Sequence, residues 1–231
     1  MTISAVTVSV NYADLLANSI DRWLAGVEKL LVVTTPHDFD TIDLCAKRDV
    51  LVHLTEAFYY KDCAFNKGAG ISEAVAALDY LDDWCLFFDA DIIPPPRWRG
   101  VVETSGIRPG NIYGARRIME NGSKNHSDDY ELAGYFQLFH ATDTNAQRRP
   151  LLDCSWRHAG GVDSEFQARW PRNHKHYLPL TLLHQGEPGR NWFGRHNIEA
   201  MDRLVEDRRR NGRIMNYERL EEVRLQGPQP T

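Results

Sequence analysis

A chain of 231 residues, 42% hydrophobic and 26% charged, has the balance of a globular protein with a real core, the size of one α/β domain or two small ones. No apolar run approaches membrane-spanning length, Met1-Thr2-Ile3-Ser4 lacks the basic start of a secretion signal, and Cys45, Cys63, Cys85 and Cys154 show no Cys-x-x-Cys spacing. These features argue against a transmembrane segment, a disulfide framework and a zinc site, and they predict a cytoplasmic protein with reduced thiols. The net charge of −5 is uneven: residues 1–96 carry 6 Lys and Arg against 15 Asp and Glu, a net −9, while residues 97–231 carry 21 against 17, a net +4. A basic second part can meet an anionic partner, although ordinary surface charge is the simpler reading.

Residues 3–10 alternate with β-branched residues and read as a strand ending at Asn11-Tyr12. Asp14 is placed to cap a helix reaching Ala25, with Leu15, Leu16, Ile20, Trp23 and Leu24 on its apolar face. Residues 29–34 form a second strand, Thr35-Pro36-His37-Asp38 a loop, residues 39–48 a short helix and residues 50–54 a third strand. This β-α-β-α-β order predicts a mostly parallel sheet with helices on its faces, whose ligands bind beyond the carboxyl ends of the strands. Asn11, Tyr12, Asp38, Thr55 and Glu56 then lie near one mouth. A connection over 55–70 ends in Asn66-Lys67-Gly68-Ala69-Gly70, and a helix rich in small residues follows. Asn66 and Lys67 at its start can meet a phosphate or a base. An ordinary cap with a surface lysine is the plainer reading. The glycines make neither a P-loop nor a Gly-x-Gly-x-x-Gly fingerprint.

The run from Trp84 to Ile93 reads as a buried strand with two carboxylates inside it, Asp89 and Asp91. Alternation along a strand points both to one side, with small Ala90 between them, and Pro94-Pro95-Pro96 forces a stop. Burying unpaired carboxylates is costly, so the pair is either exposed at the strand end or holds a divalent cation.

The polar end of the first strand, the Asn66-Lys67-Gly68 helix start and the Phe87-Phe88-Asp89-Ala90-Asp91 strand with its proline stop together resemble the nucleotide-sugar-dependent glycosyltransferases of the GT-A fold, in particular the large inverting, family-2-like group. The resemblance spans residues 3–200 in its order of elements. It implies a single-domain, Rossmann-like GT-A fold of the α/β class, with a nucleotide-sugar half over 1–96 and an acceptor half over 97–200; beyond it the sequence predicts a helical segment over 201–225 and a flexible tail over 226–231. It also implies that Asp89 and Asp91 hold Mn²⁺ or Mg²⁺ on the diphosphate of a sugar nucleotide, with Ala90 beside them. Asn11, Tyr12 and Asp38 take nucleoside roles, and Asn66 and Lys67 lie on the donor side. Where many members carry an arginine before the Asn-Lys pair, this chain has Phe65.

In the second half, residues 96–105 predict a helix, 111–115 a strand, 120–131 a polar loop, 134–140 a strand with alternating aromatics and 142–150 another polar loop. Gly160-Gly161-Val162-Asp163-Ser164-Glu165-Phe166 opens a helix, for which Asp163 is a natural cap. The segment also resembles the Gly-Gly-x-Asp-x-x-Phe of the same enzymes, which implies a carboxylate base for the acceptor hydroxyl, Asp163 or Glu165. Residues 177–183 form an apolar strand ending at His184. By position His184 resembles the histidine that completes the metal site in GT-A enzymes, and Mn²⁺ accepts imidazole as well as carboxylate. Arg190 in the following loop can close on the diphosphate, with Trp192 and Phe193 as an apolar lid, and a helix covers 196–210.

The sequence thus predicts a metal-dependent transferase moving a sugar from a nucleoside-diphosphate donor, UDP-linked, to a hydroxyl with inversion. The acceptor stays open among a saccharide or lipid-linked glycan, a protein side chain, and hydroxymethylated DNA modified by a phage-type enzyme. For the last, Arg97, Arg99, Arg116, Arg117, Arg148, Arg149, Arg157, Arg172 and Lys175 would form a basic surface. A nucleotidyltransferase and a non-catalytic nucleotide-sugar-binding module are the alternatives from other classes.

Overall fold

The computed structural model describes residues 1–186, apart from 64, 79, 80, 82, 126–130, 157 and 158. Four strands of β-branched and aromatic residues, β1 (Ile3–Val8), β2 (Lys29–Thr34), β3 (Leu51–Leu54) and β4 (Trp84–Asp89), pair in parallel in the order β3-β2-β1-β4. The remaining strands are β5 (Ile92–Ile93), β6 (Ile112–Met119), β7 (Lys124–Asn125), β8 (Phe136–His140) and β9 (Lys175–His184). β8 pairs antiparallel with both β4 and β6, while β9 runs parallel to β6, so the sheet continues β4-β8-β6-β9-β5. β1, β4, β6 and β9 therefore all end on the same side. The chain turns to β2 on one side of β1 and to β4 on the other, which makes a switch point between β1 and β4, where α/β sheets place their ligands.

Strand alternation sends successive residues of β4 into two cores. Leu86 and Phe88 join Trp23, Trp98 and Phe136 on one face, and Cys85 and Phe87 join Phe139, Phe166 and Trp170 on the other. Trp23 stacks on Phe88 with ring centroids 4.1 Å apart and donates its indole N–H to Ile92 O at 3.0 Å. Phe88→Ala there would cost about 3–5 kcal/mol. On the second face lies α4 (Lys67–Leu78), whose glycines allow close packing: a Cβ at Gly68 would lie 2.3 Å from Asp153 O, and one at Gly70 would lie 2.3 Å from the Phe58 ring.

Several expected elements are redrawn. The single helix from Asp14 to Ala25 is two short helices, α1 (Ala13–Ala17) and α2 (Ile20–Leu24). Ser19 bonds back to Leu16 O, and Asn18 reaches across to the Gln185 side chain, so the helix breaks between them. Asp14 lies in the first turn of α1, not at its cap. α3 (Phe39–Ala46) and α5 (Trp98–Thr104) fall where expected. The 120–131 loop contributes β7, which folds back on β6. The strand expected over Trp84–Ile93 is broken after Asp89. The chain turns at Ala90-Asp91, and β5 pairs with β9 rather than continuing β4. Asp89 and Asp91 are therefore not alternate residues of one strand, and they meet different partners.

Candidate active site

At the ends of β1 and β2 the chain solves a local hydrogen-bonding problem. Asp38 caps α3 by accepting from Thr41 N at 3.2 Å, and it also accepts from Thr34 Oγ1 at 2.9 Å and from Asn11 N at 2.7 Å. Its carboxylate is 3% exposed. Asn11 is exposed and held with φ at +58°, a left-handed conformation that asparagine tolerates. Asp38 was expected as a nucleoside ligand, but its carboxylate is already engaged by three protein donors. What it shapes is the Asn11 turn. Tyr12 is buried and packs into the core below the mouth.

The end of β4 is different. Lys67, the first residue of α4, is buried, and its ammonium lies 2.7 Å from Asp89 Oδ1 and 3.3 and 3.2 Å from the two oxygens of Asp163. The surface-lysine reading is thus overturned. Asn66 does act as a cap, accepting from Ala69 N at 2.9 Å while donating to Cys154 O at 2.8 Å. Phe65 stacks on Phe58 at 4.9 Å in the core. Burial works against a charged Lys67, but Asp163 and Asp89 outweigh it and raise its pKa above the usual lysine value. Burial alone would raise Asp89, yet Lys67, with help from Arg117 and His184, holds it below the ordinary carboxylate range. Asp163 goes the other way: burial and the charge of Asp89 push it up against the pull of Lys67.

Asp163 enters on α6 (Val162–Ala168), directly after Gly160-Gly161. Gly161 has φ +102°, and a Cβ there would lie 2.4 Å from the Trp156 ring. A Cβ at Gly134 would lie 2.0 Å from the Asp163 carboxylate, so this side chain holds its place against a residue that has none. Gln137, fully buried in β8, donates to the backbone carbonyls of Asp163 and Leu132 and ties α6 to the sheet. The other candidate base, Glu165, is exposed, and its carboxylate accepts the Trp156 indole N–H at 2.5 Å. Only Asp163 joins the Lys67 cluster.

Asp91 and His184 are both 5% exposed, with His184 Nε2 3.5 Å from Asp91 Oδ2. The register that pairs Ile92 with His184 brings them together. Burial, reinforced by Arg117, depresses His184 to about 4, so its imidazole is neutral at pH 7. Its buried Nδ1 has no hydrogen-bond partner. A neutral imidazole with an orphaned nitrogen beside a buried carboxylate fits a Mn²⁺ or Mg²⁺ ligand pair. Among the described residues no three side chains of metal-binding type converge, because Asp89 is turned to Lys67. Ala90, 4% exposed, is a core residue between the two acids and supplies no polar group.

Gly134 and Gln137 at this mouth carried no sequence signal, and Arg117, on β6, was expected only as part of a basic surface. The Arg117 guanidinium lies 4.4 Å from the Tyr135 ring centroid, and its buried Nε has no hydrogen-bond partner. An unpaired buried donor costs about 1–3 kcal/mol. Of the nine basic residues expected to form one surface, four that are described lie at opposite ends of the sheet. Arg116 and Arg117 lie toward the carboxyl end of β6, Lys175 begins β9 at the opposite end of the sheet, and Arg99 is held there by Met1 O, Gly26 O and Glu28. Arg157, Arg190, Trp192, Phe193, the 196–210 helix and the segments 201–225 and 226–231 lie outside the described residues. No helix among the described residues is long and apolar enough to cross a membrane.

No protein-family model and no curated protein sequence matches the chain. Solved structures do. Glucosyl-3-phosphoglycerate synthase from Mycobacterium tuberculosis, in complex with Mn²⁺, UDP-glucose and phosphoglyceric acid, matches with a TM-score of 0.57 at 17% identity, over 94% of this chain and 81% of that one. Mannosyl-3-phosphoglycerate synthase from Rubrobacter xylanophilus matches with a TM-score of 0.54 at 18% identity, over 94% and 77%. At such identities the likeness establishes the fold: this chain is a single α/β domain of the GT-A type, with a curled, mostly parallel sheet.

Proposed function

We propose that this chain is a metal-dependent glycosyltransferase that moves a sugar from a nucleoside-diphosphate donor, UDP-linked, to an acceptor hydroxyl. The observation that carries the reading is the Lys67 ammonium held between Asp89 and Asp163 at the switch point of the sheet. One lysine joins an acid of the Asp-x-Asp pair to a carboxylate suited to deprotonate a hydroxyl. The solved relatives support the donor side, since their complexes hold Mn²⁺ with UDP-glucose, or with UDP.

Asn11 lines the nucleoside end of the mouth. Asp91 and His184, joined by Asp89, would hold the divalent ion, which when bound supplies Lewis-acid neutralisation of the leaving diphosphate. Asp163 takes the proton from the acceptor hydroxyl, and its raised pKa strengthens it as a base. Attack from the Asp163 side, opposite the metal side, gives inversion. Glu165 positions Trp156 and is not the base.

For the acceptor, a small hydroxyl-bearing molecule or a saccharide is favoured over DNA, because Arg116 and Arg117 lie at the opposite end of the sheet from Arg99 and Lys175. The named complexes add phosphoglyceric acid to the acceptors worth testing. The test is incubation with a panel of nucleotide sugars and Mn²⁺, with 3-phosphoglycerate, simple saccharides and hydroxymethylated DNA as acceptors. Acceptor-dependent release of nucleoside diphosphate is expected. Pyrophosphate release from nucleoside triphosphates instead would make the chain a nucleotidyltransferase, and donor binding without turnover on any acceptor would favour a binding module.

A further inference from the structure

We propose that Arg117 is a diphosphate-binding residue of this site, donating its guanidinium to the phosphate oxygens of the nucleotide donor. The inference rests on the reading of the chain as a nucleotide-sugar enzyme, and it assigns a residue that the sequence pattern did not.

The site's charges show why such a residue is needed. Three carboxylates, Asp89, Asp91 and Asp163, face one ammonium, Lys67, and a neutral imidazole, His184. A divalent ion balances that set, and a diphosphate then arrives with further negative charge. Lys67 is not available to meet it, because its ammonium is already shared between two carboxylates at 2.7 and 3.2 Å. Arg117 is held differently. Its guanidinium carbon lies 4.4 Å from the centroid of the Tyr135 ring, whose hydroxyl donates to Ala115 O at 2.8 Å, so an anchored ring backs the guanidinium. Its Nε is buried without a hydrogen-bond partner, which leaves the terminal nitrogens of this half-buried side chain as the groups that can reach a phosphate. Two such N–H groups in one plane match two oxygens of a phosphate.

Position assigns it to the donor rather than the acceptor. On β6, Arg117 pairs with Leu182 and Met119 pairs with His184, so Arg117 shares a strand face with the metal-side histidine's neighbours. With His184 two residues further along the same face, Arg117 stands on the His184 side of the cluster. Arg116, the next residue along, is exposed over the Tyr177 ring and provides a control of equal charge.

The experiment is titration calorimetry of the full chain with UDP in Mn²⁺, with inorganic pyrophosphate and uridine as competitors, on wild type, Arg117→Met, Arg117→Lys and Arg116→Met. Arg117→Met should weaken UDP and pyrophosphate by about 10- to 100-fold and leave uridine within about twofold, the scale of a lost charge-assisted contact. Arg117→Lys should recover part of the loss, and Arg116→Met should bind like wild type. Unchanged UDP affinity in Arg117→Met overturns the assignment. So does an equal loss in Arg116→Met, which would make the effect one of general charge, or an equal loss of uridine, which would make it one of folding. If the wild type binds neither UDP nor pyrophosphate, the functional reading fails first and takes this inference with it.

Discussion

Two carboxylate clusters sit at the carboxyl ends of the same sheet, and they differ in kind. At Asp38 a buried carboxylate takes three neutral donors from its own neighbourhood, two on Oδ2 and one on Oδ1. At Lys67 one ammonium is divided between two carboxylates, while Asp91, two residues past Asp89, faces His184 instead. The first arrangement makes a turn; the second sets one cation against two acids. A buried acid by itself says little about function, and its partners decide.

The contrast can be broken most sharply at the base. Asp163→Asn should lower turnover by about 10²- to 10⁴-fold while donor affinity holds, and Glu165→Gln should stay within a few-fold of wild type. Steady-state kinetics on the two variants separates them, and equal losses would return the base to an open choice. Lys67→Met leaves Asp89 and Asp163, both partly exposed, without their shared cation and should cost about 1–3 kcal/mol, read as a fall in the denaturation midpoint. A Lys67→Met protein as stable as wild type would mean that the cluster does not carry the charge described. Asp91→Asn should reduce Mn²⁺ affinity by about tenfold or more, measured by calorimetry without nucleotide, since even outer partners of metal ligands contribute that much. Asp38→Ala should cost only about 1–2 kcal/mol, the size of a lost cap, with turnover of the folded protein little changed. A collapse of donor binding in that variant would promote Asp38 from scaffold to ligand.

The smallest effect lies at the other end of the sheet and serves as a control in pH. The Thr2 amide, together with His140, holds the Asp83 carboxyl below its ordinary value of 3.8 against a small burial penalty. A carboxyl lowered on folding contributes stability that is present above its unfolded pKa and is lost as pH falls through the folded value. Wild type and Asp83→Asn should therefore differ modestly near neutral pH and converge below 3.8, as followed by denaturant unfolding at several pH values. Turnover should not change.

The first half, up to β4, was the more legible part of the chain. Its strands are continuous apolar runs joined in parallel, and each helix returns the chain to the next strand, so the pattern alone fixes the order of elements. The second half was harder because β8 pairs antiparallel with both of its neighbours and β6 extends past its apolar stretch. β6 carries Arg116 and Arg117, and β7 is a polar pair within what reads as a loop. The break after Asp89 left no local mark either. It follows from β5 pairing with a strand almost a hundred residues away, a partner that periodicity cannot reveal. The candidate site followed the same rule. Asp89, Asp91, Lys67, Asp163 and His184 stand out because their chemistry is unusual where it occurs, while Gly134, Gln137 and Arg117 matter only through what lies across from them.

Gly134 gives that last point a consequence for how the chain tolerates change. A single methyl group at position 134 would fall on the carboxylate of Asp163, so that side chain would have to move. The smallest possible enlargement at a residue with no chemistry of its own would act as an off switch, displacing the proton acceptor while leaving Asp91, His184 and Arg117 untouched. Such a variant would load the donor without consuming it, and would offer a means of trapping the complex in which the acceptor first reveals itself.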